Sequence, residues 1–115
     1  MRIHIQGIQC MLNEESDQDE AFLKYKGKRI WPDHGRYHKM NSSERSEVDV
    51  IIDHDISEDL DIELWDWDLL SRNDLIGTFH MHVTEDDYGN YSTPLKVAHV
   101  GSTASYMLYW EILKD

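Results

Sequence analysis

The sequence predicts an all-β fold of the sandwich or barrel type. Short segments alternate apolar and polar residues, which is the spacing of strands that have one buried face. Clusters of turn-forming residues separate these segments at regular intervals. No segment places apolar residues at positions i, i+3, i+4 and i+7 over several turns, so we expect no substantial helix.

The N-terminal half supplies four of the predicted strands. They cover residues 2–8, 21–25, 28–31 and 47–53. Ile3, Ile5 and Ile8 alternate along the first strand, and their spacing drifts at Gly7, where we expect a bulge. Polar stretches rich in turn-forming residues lie between the strands, at 13–20, 32–35 and 39–46.

The C-terminal half supplies four more predicted strands. They cover residues 60–65, 76–83, 94–100 and 105–114, with a turn expected at 86–90. In the last strand Tyr106, Leu108, Trp110 and Ile112 share one face, which we expect to point into the core. Eight short strands with this spacing suit a single domain over residues 1–115.

Composition narrows the functional classes. The chain has 23 acidic and 11 basic residues, a net charge of −12, which disfavours binding to nucleic acid. Such an excess fits either a solubilising surface or a group of carboxylates that a divalent cation neutralises. Cys10 is the one cysteine, so an internal disulfide is excluded, and its uncharged neighbours indicate a packed core residue.

Targeting signals do not stand out. No stretch approaches the ~20 apolar residues of a membrane span, and no signal-peptide core precedes the first strand. We therefore expect a cytoplasmic protein, not a transmembrane one, that can associate peripherally with a membrane. No Ser, Cys or Lys stands with His and an acid at a catalytic spacing, so we do not expect an enzyme.

The most informative segment follows the strand at 60–65. Asp66 and Asp68 are two residues apart at the end of that strand, and Asp74 can fold back across a tight loop. Calcium binds six to eight oxygen ligands, which carboxylates and backbone carbonyls supply. The alternative is a solvated loop without a binding function, which Asx-turns close.

The stretch from Trp65 to Gly77 reads WDWDLLSRNDLIG, the pattern Trp-Asp-x-Asp-x5-Asp-x2-Gly. It resembles the third calcium-binding loop of C2 domains and is close to the version in conventional protein kinase C. Residues 3–8 are similar to the opening strand of that family, and residues 20–24 occupy the place of its Ser-Asp-Pro-Tyr-Val-Lys stretch. The resemblance implies an eight-stranded antiparallel Greek-key β-sandwich, with the permuted type II strand order.

In the third loop the resemblance implies that Asp66, Asp68 and Asp74 bind Ca²⁺, together with the carbonyl oxygen of Trp67. Leu69, Leu70 and Arg72 at the loop tip would then contact the membrane, because loops of this family insert apolar tips and contact lipid phosphates.

In the first loop the family uses two aspartates six residues apart. An alignment anchored on Phe22 places them at Glu14 and Glu20, whereas requiring aspartate selects Asp19, opposite Asn13. Asp17 is a further candidate. Glutamate has one methylene more than aspartate and a different reach, so we expect one calcium site of moderate or weak affinity.

Two functions follow from the resemblance. The first is a calcium-binding module that docks on anionic phospholipid headgroups when calcium is present. The alternative is a protein-protein interaction domain in which calcium is structural or absent.

Overall fold

The computed structural model describes residues 1–14, 18–84 and 89–114, and the predicted all-β fold is confirmed. The described residues form strands and no helix, and therefore include no helix able to span a membrane. The strands are β1 (Arg2–Leu12), β2 (Asp19–Tyr25), β3 (Lys28–Trp31), β4 (His38–Met40), β5 (Arg45–Asp53), β6 (Leu60–Asp66), β7 (Asp74–Met81), β8 (Asn90–Pro94), β9 (Lys96–Val97) and β10 (Ser105–Leu113).

The strands form two antiparallel sheets that pack as a sandwich. Sheet A has the order β5-β1-β10-β8, and sheet B has the order β3-β2-β6-β7-β9, with β4 pairing with β2. In sheet A the pairing of β1 shifts register between Ile5 and Gly7 against both neighbours, which confirms the predicted bulge.

The core lies between the sheets and follows the predicted alternation. The four residues of β10 expected to point inward, Tyr106, Leu108, Trp110 and Ile112, are all buried. Cys10 is fully buried among them, as predicted. In strands such as β6 and β10 every second side chain enters the apolar layer, which is the main stabilising contribution in a sandwich of this size.

The strand count differs from the eight expected, because β4 was not predicted and β8 lies almost entirely before the strand predicted at 94–100. The stretch 39–46, predicted as a polar connection, contains the end of β4, which pairs with β2 and places Met40 in the core. The stretch 94–100 was predicted as one strand but leaves sheet A after Pro94 and joins sheet B at Lys96. Most of the turn expected at 86–90 lies outside the described residues, and the type II strand order remains a prediction.

A histidine joins three strands on the outer face of sheet A. Nδ1 of His4 lies 2.7 Å from Oε2 of Glu111, and its Nε2 lies 2.7 Å from Oδ1 of Asp49. Partial burial lowers the pKa of His4, but the hydrogen bonds and charges of the two carboxylates outweigh it, so the pKa is raised. We call this group the His4 clip.

Four connections meet at one end of the sandwich, which we call the loop end. Their described residues are 13–14 and 18, 41–44, 67–73 and 98–104. In sheet A the end of β1 pairs with the beginning of β10, and in sheet B the end of β6 pairs with the beginning of β7. The two sheets are bonded there, because the Tyr106 hydroxyl donates a hydrogen bond to the Asp19 carboxylate.

Candidate functional site

The end of β6 is tied to the beginning of β2. Asp66 is buried, and its Oδ1 accepts a hydrogen bond of 2.8 Å from the backbone N–H of Glu20. The backbone N–H of Trp67 donates back to the carbonyl of Glu20, also at 2.8 Å. Asp66 also pairs with Asp74 in the β6–β7 register, so the hydrogen bonds to Glu20 join the first loop to both ends of the third loop.

Asp68 closes the 67–73 loop on itself. Its Oδ1 accepts the backbone N–H of Leu70 at 2.9 Å, and its Oδ2 accepts the hydroxyl of Ser71 at 2.8 Å. These hydrogen bonds lower the pKa of Asp68 and keep its carboxylate ionised. This is the Asx-turn that we expected for a solvated loop without a binding function. Because each carboxylate oxygen has two lone pairs, the turn leaves acceptor capacity for a cation.

Glu14 and Asp74 bring carboxyl groups from two different loops together. Burial raises the pKa of Glu14 to about 7, and a hydrogen bond to Asp74 adds to the shift. Oε2 of Glu14 is buried and has no hydrogen-bond partner among the described residues. On the other side, Nε2 of His99 lies 3.2 Å from Oδ1 of Asp74. Carboxyl groups from two loops thus lie together beside a buried oxygen that has no partner among the described residues.

Asp19 is fully buried and fixes the first loop from the inside. Besides the Tyr106 hydroxyl, its Oδ2 accepts the backbone N–H of Glu14 at 3.0 Å and the Nδ2 of Asn13 at 3.3 Å. Burial, followed by the hydrogen bond to Asp19, raises the pKa of Tyr106, which keeps the phenol protonated. Asp17 lies outside the described residues.

The predicted ligands are therefore brought to one end, but not into a finished cation site. Among residues 1–14, 18–84 and 89–114, no group of three or more His, Cys, Asp or Glu side chains could hold a metal ion. The assignment of Asp66, Asp68, Asp74, Trp67, Glu14, Glu20 and Asp19 as calcium ligands remains a prediction.

The predicted membrane contacts lie at the exposed tip of the same loop. Leu69 is 72% exposed and Leu70 is 93% exposed, and Arg72 is exposed as well. Sequence reasoning missed two contributors to this end, His99 and Tyr106. Neither carries a local signal, because each meets its acidic partner only through the pairing of distant strands.

The outer face of sheet B beside the site carries stacked aromatic and basic side chains. The ring of Trp67 stacks on Tyr37 with centroids 5.1 Å apart, and the Arg36 guanidinium lies 5.5 Å from the Trp67 ring. Nζ of Lys24 lies 4.5 Å from the ring of Trp65. Trp67 therefore packs against the domain and is not part of the apolar tip.

Comparison with solved structures shows which fold this is. The chain is similar to a C2 domain of a plant extended synaptotagmin 1, with a TM-score of 0.52 over 98% of this chain and 95% of that chain. The sequence identity is 10%, so the likeness concerns the fold. No protein-family model matches the chain. No curated protein matches it in sequence. The chain has the C2-domain fold that the third-loop resemblance led us to expect.

Proposed function

We propose that this domain binds calcium at the loop end and then docks on anionic phospholipid membranes as a peripheral, cytoplasmic module. The observation that carries the proposal is the Glu14–Asp74 pair. Two acidic groups that lie together, with a buried oxygen that lacks a partner among the described residues, offer the oxygen ligands that calcium binds. The exposed leucines lie in the 67–73 loop, which leads directly into Asp74 at the beginning of β7.

The ligands would come from both loops. Asp66, Asp68 and Asp74 would bind the ion from the third loop with the carbonyl of Trp67, and Glu14 would approach from the first loop. Asp19 already accepts hydrogen bonds from Tyr106 and from the backbone of the first loop, so it would support the ligands instead of binding the ion. Glutamate in place of aspartate keeps the expectation at one site of moderate or weak affinity.

Charge explains why docking would depend on calcium. With a net charge of −12, the ion-free domain is repelled by an anionic bilayer. A bound cation removes repulsion at the loop end, where the apolar tip contacts the membrane, and this effect acts within a Debye length of about 8 Å.

Calorimetric titration with calcium tests the site, and the chain offers a matched pair of variants. Asp68→Asn should abolish the heat of calcium binding. Asp55→Asn is the control, because Oδ1 of Asp55 likewise accepts the backbone N–H and the hydroxyl of Ser57, but in the connection between β5 and β6. Loss of binding in both variants, or in neither, would contradict the assignment of Asp68.

Sedimentation with vesicles of phosphatidylserine and phosphatidylcholine tests the membrane step. The wild-type domain should pellet with these vesicles in calcium and stay in solution in chelator. Pelleting that is the same in calcium and in chelator would refute a calcium-dependent switch, even if calorimetry detects a bound ion.

The second candidate, a protein-protein interaction domain, is favoured by one observation. The carboxylates of Asp66 and Asp68 already accept hydrogen bonds from their own surroundings, so the third loop keeps its shape without an ion. An absence of calorimetric heat at millimolar calcium, with the domain folded, would favour this function.

A further inference from the structure

We propose that the 98–104 connection is an additional membrane-contacting element and that Val100 enters the bilayer together with Leu69 and Leu70. This inference rests on the proposed membrane function and extends it to a segment outside the two loops that carry the predicted calcium ligands.

The first observation is where exposed aliphatic side chains lie. The described residues contain five exposed large hydrophobic side chains: Leu12, Ile51, Leu69, Leu70 and Val100. All of them except Ile51 are at the loop end. Exposed aliphatic residues are ordinary when they are scattered, but their concentration at one end marks an interaction surface.

The second observation is how the structure presents Val100. The backbone N–H of Ser102 donates to the carbonyl of His99 at 3.2 Å, and Gly101 has a φ of 87°. These features define a tight turn with Val100 at its apex, and Val100 is 108% exposed. A valine that a hydrogen-bonded turn holds out in water is already oriented, so little conformational entropy is lost on contact.

The third observation is that this turn is fixed to the predicted calcium loop. The backbone N–H of Ala98 donates to the carbonyl of Ile76 at 2.9 Å, where the chain leaves β9 alongside β7. His99 contacts Asp74 at 3.2 Å, so the residue before Val100 touches a predicted ligand. A membrane that reaches the tip of the 67–73 loop is therefore near Val100.

An anionic bilayer is the occupant that suits this surface best. The aliphatic side chains stand on three separate segments, with Leu12 at the end of β1, Leu69 and Leu70 in the 67–73 connection and Val100 in the 98–104 connection, so they form separate projections. Arg72 is exposed beside the leucines and makes no ion pair with any described residue, so it can meet a lipid phosphate. Aliphatic tips bordered by a cation match the acyl layer and the anionic headgroups.

Site-directed spin labelling can measure the depth of each element separately. Cys10 is fully buried, so V100C, L70C and I51C each offer one accessible thiol for a nitroxide. With phosphatidylserine vesicles and calcium, we expect the labels at 70 and 100 in the acyl layer and the label at 51 in water. The readout is the accessibility of each nitroxide to oxygen and to a water-soluble nickel complex.

The outcomes separate this inference from the proposed function. If the label at 70 enters the bilayer while the label at 100 stays in water, the inference is overturned and the proposed function stands. If the domain does not bind these vesicles in calcium, the proposed function fails, and the inference fails with it.

A second measurement removes any effect of the label. Val100→Asn should weaken calcium-dependent vesicle binding about tenfold, since a valine side chain that leaves water contributes on that order. Ile51→Asn, an aliphatic-to-polar change away from the loop end, should leave it unchanged. Equal affinity of V100N and wild type, with both variants folded by circular dichroism, would overturn the inference.

Discussion

Tyr106 provides the sharpest test of how the interior supports the loop end. Tyr106→Phe keeps the ring in the core and removes the hydroxyl that donates to Asp19. The Asp19 carboxylate is fully buried, so losing one of its donors leaves charge in the interior with weaker compensation. Hydrogen bonds to charged groups contribute about 1.5–3 kcal/mol, so we expect a loss of about 2 kcal/mol of unfolding free energy.

Urea unfolding followed by fluorescence of the four tryptophans measures this loss, which corresponds to a fall in melting temperature of about 8 °C. Tyr109→Phe is the matched control, because the Tyr109 hydroxyl donates at 3.1 Å to the neutral Gln9 on the outer face of the sheet. We expect the control to lose less than about 1 kcal/mol. Equal losses in the two variants would refute the view that a buried carboxylate depends on Tyr106.

Three further predictions concern stability without calcium. The raised pKa of His4 means that the His4 clip stabilises fully below the ordinary value of 6.5 and weakens as pH rises through the raised pKa; the unfolding free energy of His4→Gln should approach that of wild type between pH 6 and 9. The pKa of Glu14 is raised to about 7, so the fold loses stability as this acid ionises between pH 4.5 and 7. Glu14→Gln should therefore melt about 2–5 °C above wild type at pH 8. Equal melting temperatures would contradict the shift. Gly77→Ala should lose about 2 kcal/mol or more in urea unfolding, because a Cβ there would clash with the backbone carbonyl oxygen of Lys96; a loss below about 0.5 kcal/mol would show that β9 can move aside.

The sequence was sufficient to predict the strands that stay in one sheet over their whole length. β6 and β10 were predicted because alternation with period two persists over their whole length, and β1 and β5 because it persists over most of theirs, interrupted in β1 by the bulge at Gly7. It was insufficient where the chain changes sheets after Pro94, because Leu95 and Val97 continue an apolar alternation that belongs to two different pairings. Periodicity reports which residues are buried, but not which neighbour buries them.

For the candidate site, the sequence indicated which acids lie at the loop end but not the state of each one. Asp66, Asp68 and Asp74 were selected by their spacing and by the resemblance to the third loop of C2 domains. The local sequence pattern could not show that Asp19 accepts a hydrogen bond from Tyr106, which is 87 residues away in the chain. The same holds for the pairing of Glu14 with Asp74, which only the packing of the two loops produces.

The hydrogen bonds that each acid already makes indicate which predicted ligands are fixed and which must move. The side chains of Asp66 and Asp68 are held by backbone N–H groups, so they can meet a cation without reorganising, and preorganised ligands lose little entropy on binding. Glu14 differs from them, because burial and the neighbouring Asp74 raise its pKa to about 7, so a divalent cation that bound there would displace its proton. Calcium affinity at this end would therefore depend on pH through the proton on Glu14, whereas the third loop could keep its shape in a relative that had lost calcium binding.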